Sequence, residues 1–229
     1  MGYNWQWYRV PKYFYTLTDD GFQWGEISVG LVKTLELSLL AFAMSVILGL
    51  VVALLRLSSL VIGKWMAVVF LEIVRNMPLL VLLYLFYYVL GPIFDLDRFW
   101  ASILCLGVYH GAMVSEIFRA GINSVPAGQW EGAKSVGLST SQTYRYVVLP
   151  QSVPLMLPPL TGEAVSMIKS SAIVSVIAVA ELTTIGRNII SDTYMSFEIW
   201  FTIALVYLIV TLILSIGVSF LERYYSVRT

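Results

Sequence analysis

The sequence predicts an all-α integral membrane protein with five spanning helices, and three observations carry this. Of the 229 residues, 59% are hydrophobic and 12% are charged, whereas a soluble domain carries about 25% charged residues. Five stretches, about 31–55, 65–90, 99–123, 155–186 and 198–221, are mostly apolar, and each reaches the ~20 residues a helix needs to cross a bilayer. Open strand edges cannot face lipid, so the spans are read as helices.

The remaining bulk properties narrow the function. Lys plus Arg and Asp plus Glu are 14 each, so there is no basic surplus to suggest nucleic acid. The single Cys105 lies in an apolar run and reads as a packing residue, since one cysteine builds neither an intrachain disulfide nor a Cys-rich metal site. There is no low-complexity segment and no internal repeat. No shorter apolar core precedes the first stretch, which reads as a span and not as a cleavable signal peptide. With the N-terminus outside, Arg56, Lys64, Arg119, Lys134, Arg145, Arg223 and Arg228 lie inside and Arg9, Lys12, Lys33, Arg98 and Arg187 outside. The excess of inner cations favours N-out, C-in, although Arg9 and Lys12 argue the other way.

Residues 1–30 are rich in aromatics, among them Trp5, Trp7, Tyr13, Tyr15, Phe22 and Trp24. Rings of this kind favour the headgroup layer, so an interfacial segment is expected ahead of a disordered tail or a docking site. The first span carries Ala41, Ser45, Gly49 and Ala53 at a spacing of four, a smooth stripe on which another helix packs closely. Arg56 to Lys64 form a short inner loop. The second span holds Glu72 and Arg75, followed by Asn76-Met77-Pro78. Gly91-Pro92 and Asp95 to Arg98 form an outer turn, and the third span ends with Glu116 and Arg119. These two Glu/Arg pairs lie near the inner ends of antiparallel helices, and pairing lowers the cost of placing charge in a membrane. They read either as a packing clamp or as one network that rearranges when an inner gate moves.

A polar island, EGAKSVGLSTSQTYRYVVLP at 131–150, separates spans three and four. Pro126 suits a first helical turn, and Gly137 can stop the helix in a left-handed conformation. Ser139 and Gln142 are spaced as a capping box for a second short helix, which Leu149-Pro150 is expected to end. The island therefore reads as helix, glycine bend, helix. Gly128, Gly132, Lys134 and Ser135 do not make a phosphate-binding loop: the spacing is one residue short, and no strand precedes them. His110, the single histidine, reads as a packing or hydrogen-bonding residue; it permits no His-based zinc motif.

In the fourth stretch Glu163 follows Pro158-Pro159, and Ser166, Met167 and Ser170 share its helical face. An ionisable residue at that depth is a candidate functional site. Glu163 either anchors the ammonium of a substrate or pairs with a cation on a neighbouring helix. Lys169 points elsewhere.

EGAKSVG followed by VVLP resembles the cytoplasmic signature of ABC-importer permeases, with Glu131, Ala133, Gly137, Leu149 and Pro150 at the required spacing. Gly132 and Val147 replace the usual Ala and Ile. The segments EIVRNMPLLVLLYLFYY, EIFRAGINSVPAGQWEGAKSVGLS and LPPLTGEAVSMIKSSAIVSVIAVAEL are similar to the polar amino acid uptake branch. PPLTGEAVSMIKSSAIVS looks most like the glutamate/aspartate permeases within it. The resemblance implies one permease domain, 1–229, of the type I ABC importer fold, with 126–150 as cytoplasmic coupling region. It implies a bacterial inner-membrane location and no enzyme activity or cofactor in this chain, ATP and Mg being bound by a partner ATPase dimer. A second permease subunit and a periplasmic amino-acid-binding protein complete the implied assembly in membrane lipid. Glu131, Gly132, Ala133, Gly137, Leu149 and Pro150 are then the coupling residues. The alternatives are an ATP-independent secondary transporter or channel subunit, or a structural membrane subunit.

Overall fold

The computed structural model describes residues 3–18 and 21–226; Arg228, one of the expected inner cations, lies outside them. A 3₁₀ turn, Trp7–Tyr13, leads into an antiparallel pair, β1 (Tyr15–Thr18) and β2 (Gly21–Trp24), which sets Tyr15 opposite Trp24. The helices follow: α1 (Glu26–Leu57), α2 (Val61–Asn76), α3 (Leu79–Tyr84), α4 (Gly91–Phe94), α5 (Arg98–Asn123), α6 (Ala127–Ser135), α7 (Thr140–Thr143), α8 (Leu149–Ser171), α9 (Leu182–Thr193) and α10 (Ser196–Ser226).

Four helical runs among the described residues are long and apolar enough to cross a membrane: Glu26–Leu57, Arg98–Asn123, Thr140–Ile177 and Ser196–Val218. The pair Val61–Asn76 and Leu79–Phe94 makes a fifth if it is one broken span, for it is bent by 108°. The expected straight second span, 65–90, is therefore corrected. Pro78 has no N–H to donate and disfavours helical geometry at the residue before it, and Met77 is accordingly extended at φ −96°. Gly91-Pro92, expected in a turn, lies in the first turn of α4, where a proline is tolerated.

The fourth span also differs from its expected limits of 155–186. Helix runs from Thr140 to Ile177 and stops at Ala178, whose φ is +56°. Glu181 then caps a separate α9 by accepting from the Thr183 and Thr184 N–H groups. Leu149-Pro150 does not end the second island helix. A π-helical stretch, Tyr144–Val148, widens the turn before Pro150, and α8 continues without a break. Gln151 Nε2 donates to the Val147 carbonyl at 2.7 Å, and the Thr161 hydroxyl serves the carbonyls of Leu157 and Pro158. Such side-chain donors let prolines stand inside a spanning helix.

The centre is built on α1 against α5. Ala41, Ser45 and Ala53 are fully buried, and Gly49 completes the stripe that brings the two backbones together. A Cβ placed on Gly49 would lie 2.7 Å from Val114 Cγ1 and 3.0 Å from the Gly111 carbonyl. Leu37, Leu71, Leu83, Leu106 and Met167 fill the main core around this seam, with Cys105 buried among them. A second cluster joins Val10 and Tyr13 to Ile27, Leu182, Ile189 and Ile199 at one end. A third, Ile122, Val125, Val148 and Met156, lies under the island at the other. Large apolar side chains such as Leu39, Ile47, Leu205 and Ile213 remain exposed on α1 and α10, as lipid-facing or subunit-facing surfaces require.

The seam yields a prediction. Gly49→Ala forces a methyl against a packed valine and a backbone carbonyl, and is expected to cost about 1–3 kcal/mol. The nearest atoms to a Cβ on Gly107 all belong to Met44, with Sδ at 2.8 Å and Cγ at 2.9 Å, and the flexible thioether can move aside. Thermal unfolding in detergent is expected to rank Gly49→Ala well below Gly107→Ala, and equal midpoints would contradict the seam.

Candidate functional site

The island forms because its termini are capped by its own sequence. Pro126 stands as N-cap of α6, one position earlier than expected. At the other end Leu138 N donates to the Ala133 carbonyl and Gly137 N to the Lys134 carbonyl, the paired bonds of a glycine-terminated helix. Gly137 takes φ +78°, which a side chain with a branched Cβ resists. Ser139 and Gln142 make the capping box in both directions: Gln142 N donates to Ser139 Oγ, and Ser139 N to Gln142 Oε1. Trp130 meets Tyr144 edge-on with centroids 5.2 Å apart, and both rest on the third apolar cluster. This fixes the angle between α6 and the helix that follows.

Glu131, Gly132 and Gly137 are exposed, with Leu149 and Pro150 also at the surface. Ala133 is corrected: it is buried, on the Trp130 side of α6, and does not belong to the outward face. A methyl on Gly132 would meet nothing within 4 Å.

Next to the island lies a charged hub, also different from the expected set. Glu116 on α5 accepts from Arg56 at the end of α1 and from Arg119 one turn on, and Arg75 of α2 approaches to 3.5 Å. Glu72 takes no part. It is exposed and accepts from Asn76 Nδ2 at 3.1 Å. The sequence did not join Arg56 to this set because it stands in the last turn of α1, 60 residues from Glu116, where its neighbours mark only a loop.

Deeper in the bundle, Glu163 of α8 meets His110 of α5, with Nδ1 2.5 Å from Oε1. The sequence offered His110 as a hydrogen-bonding residue and Glu163 a partner on a neighbouring helix, but did not join the two, which stand 53 residues apart. Ser166 and Ser170 are partly exposed on α8, while Met167 is fully buried in the main core. The structure thus keeps Glu163, Ser166 and Ser170 on a reachable surface and withdraws Met167 from it. Lys169 is exposed on another side.

At the end away from the island, Glu181 is fully buried. Its carboxylate accepts from the N–H groups of Thr183 and Thr184 and from Tyr207 OH at 3.0 Å. Burial pushes its carboxyl above the ordinary carboxylate range, while these donors pull it down. Close by, Leu182 N donates to Thr34 Oγ1 of α1. Glu198, also buried, accepts from Tyr3 OH at 2.5 Å and Gln6 N at 2.6 Å, which ties the aromatic N-terminal segment to α10.

Comparison with known proteins places this architecture. The family described as binding-protein-dependent transport system inner membrane component matches residues 45–227, and the chain belongs to that family. It is 36% identical over 195 residues to a probable glutamine ABC transporter permease protein of Bacillus subtilis, covering 85% of this chain and 90% of the relative. It is 36% identical over 197 residues, with the same coverage, to a glutamine transport system permease protein of Escherichia coli. An L-cystine transport system permease protein of Bacillus subtilis is 35% identical over 203 residues, 87% of this chain and 86% of that one. A crystal structure of an amino acid ABC transporter with histidines superposes with TM-score 0.81 at 40% identity, covering 87% of this chain and 94% of that one. The MetNI methionine ABC transporter in inward-facing conformations shares the fold at TM-score 0.77 and 18% identity, covering 87% and 96%. The fold is that of the type I ABC importer permeases.

The hub geometry yields a double-mutant cycle. Arg56 and Glu116 are expected to couple by about 1 kcal/mol or more, the range for a hydrogen bond between charged groups at partial exposure. Glu72 and Arg75 are expected to show no resolvable coupling. Stability of the purified protein measures both, and coupling of Glu72 to Arg75 would restore the set of four that the sequence suggested.

Proposed function

We propose that this member of the binding-protein-dependent transport family is the permease subunit of an ATP-driven importer that brings a polar amino acid across a bacterial inner membrane. The observation that carries the reading is the exposed helix–glycine–helix island, rigidly capped and continuous with a spanning helix. Its exposed polar face suits a protein partner in water, and an ATP-binding cassette dimer with its own ATP and Mg is that partner. A second permease subunit, identical or paralogous, and a periplasmic amino-acid-binding protein complete the assembly. The ABC permease relatives support this above an ATP-independent transporter or channel. Glutamine is the first cargo to test, because two relatives at 36% identity are named for it. Glutamate and aspartate, to which PPLTGEAVSMIKSSAIVS is similar, are its competitors.

In this reading Glu131, Gly132 and Gly137 face the ATPase, and closure of the ATPase dimer moves α6 and, through it, the helix that begins at Thr140. Glu163 is the cargo anchor: a carboxylate with no lysine or arginine paired to it among the described residues offers charge to the α-ammonium that every amino acid carries. Ser166 and Ser170 supply hydroxyls on the same face.

Proteoliposomes holding the permease with its ATPase and binding protein test the reading. Uptake of L-glutamine, L-glutamate or L-aspartate is expected only with ATP, and ATP-independent uptake by the permease alone would overturn it. Gly137→Val is expected to lower substrate-stimulated ATP hydrolysis while the subunit still inserts. Gly132→Ala fits the chain itself, so any loss of coupling it causes reports the approaching partner. Glu163→Gln is expected to cut uptake at least tenfold, as loss of a charge-assisted bond predicts, with basal ATP hydrolysis and assembly retained. Unchanged uptake would make Glu163 a packing residue.

A further inference from the structure

The pair between His110 and Glu163 is built unlike the carboxylate sites at Glu116 and Glu181. Glu116 is surrounded by three guanidinium groups. Glu181 has both oxygens engaged by backbone and hydroxyl donors. Glu163 has one oxygen held and one open: Oε1 is 2.5 Å from His110 Nδ1, and no group among the described residues donates to Oε2. The side chain keeps 18% of its surface, while His110 keeps 3%.

The histidine is held for this single bond. An ionised carboxylate only accepts, so Nδ1 is taken as the N–H donor, and Nε2 is buried with no hydrogen-bond partner among the described residues. A buried polar atom without a partner costs free energy, so a ring kept only for packing would be better replaced by an apolar one. The close seam behind it leaves α5 little freedom to rotate, for Gly111 lies against Leu48 and Gly107 against Met44 of α1. The imidazole is therefore aimed at α8 by the backbone contact, and through it the Glu163 carboxylate is held by Oε1.

We infer that His110 is a positioning residue: it holds Glu163 by Oε1 and thereby presents Oε2 to a primary ammonium of the cargo. The inference rests on the reading of Glu163 as cargo anchor and adds a requirement for the free α-amine. One oxygen occupied and one free gives a single acceptor with a fixed direction, and selects an N–H donor that carries charge. An analogue without the α-amine loses this contact and gains nothing from the histidine.

Asparagine and glutamine separate positioning from packing, because asparagine sets its amide near the place of Nδ1 and glutamine sets it near Nε2. Equilibrium binding of L-glutamine, L-glutamate and L-aspartate to the assembled permease–ATPase complex is the measurement, repeated with the α-deaminated analogue of whichever binds. His110→Asn is expected to bind within about twofold of the parent, and His110→Gln about tenfold more weakly. The deaminated analogue is expected to bind all three proteins alike. If His110→Asn is as weak as His110→Gln, or if both lose the amino acid and its deaminated analogue equally, the ring acts by volume and the inference is overturned. If Glu163→Gln binds poorly and His110→Gln binds normally, the anchor stands and the positioning role alone fails. If Glu163→Gln binds as the parent does, or the parent binds none of the three amino acids, the anchor reading fails and this inference with it.

Discussion

The close approach of α1 and α5 over small residues is the contact from which the rest of the bundle takes its alignment. Lipid tails supply no hydrophobic drive for helix association, so a membrane bundle depends on backbones coming near enough for dense van der Waals contact. Ala41, Ser45, Gly49 and Ala53 on one side and Gly107 and Gly111 on the other provide that approach. Once the seam is set, relative depth follows along its length. At one end Arg56 reaches Glu116. At the other Lys33 lies over the Phe99 ring, 5.7 Å from its centroid. Between them His110 is turned away from α1 and toward Glu163. A helix pair free to slide by one turn, about 5.4 Å, would lose all three at once.

Those elements whose cause is local were legible in the sequence, and those whose cause lies across the bundle were not. Spans showed as apolar length, the Ser139/Gln142 box as a spacing of three, and the Gly137 bend as a lone glycine after a helical run. The small-residue stripe pointed to a close helix contact but not to its partner. Pro78 was visible, yet a proline inside an apolar run predicts anything from a mild kink to a break, and the 108° bend follows from Met77 turning extended. Leu149-Pro150 misled in the opposite sense, because a π-helical turn absorbs the missing N–H before it breaks the helix. The charged residues show the same divide. Glu72 and Arg75 look paired by sequence spacing, but Arg75 leans toward α5, where Arg56 and Arg119 already converge on Glu116. His110 and Glu163 meet only because α5 and α8 cross, and nothing within either segment records that crossing.

The two ends of the bundle are held by different means, and this fits the coupling role proposed for the island end. Away from the island, buried carboxylates act as pins: Glu181 caps α9 and takes the Tyr207 hydroxyl, and Glu198 takes the N-terminal segment. Their donors are backbone N–H groups and hydroxyls set in fixed geometry, so these contacts resist rearrangement. At the island end the contacts are ionic, partly wet and shared among three arginines. Exchange of one guanidinium for another at Glu116 replaces one partly exposed ion pair by a similar one, so the difference in free energy is small. A region that must shift during a cycle is better built from such interchangeable contacts than from pins.

The proposed island-to-cargo connection is one helix. From Thr140 to Glu163 the backbone is helical throughout, a rise of roughly 35 Å at 1.5 Å per residue. A push passed across the Gly137 bend to Thr140 therefore reaches the His110–Glu163 level with no further loop in between. The same helix carries its compliance where it is useful: the π-helical turn at Tyr144–Val148 lies just beyond the island, and Pro154, Pro158 and Pro159 remove ladder bonds between that turn and Glu163. Each proline weakens resistance to bending at its own position while the helix stays continuous for axial force. Since His110 belongs to α5 and Glu163 to this lever, any tilt of the lever against α5 changes the one contact that orients the carboxylate. Under the proposed roles, partner-driven motion at the island and hold on the cargo would both act on the Nδ1–Oε1 contact.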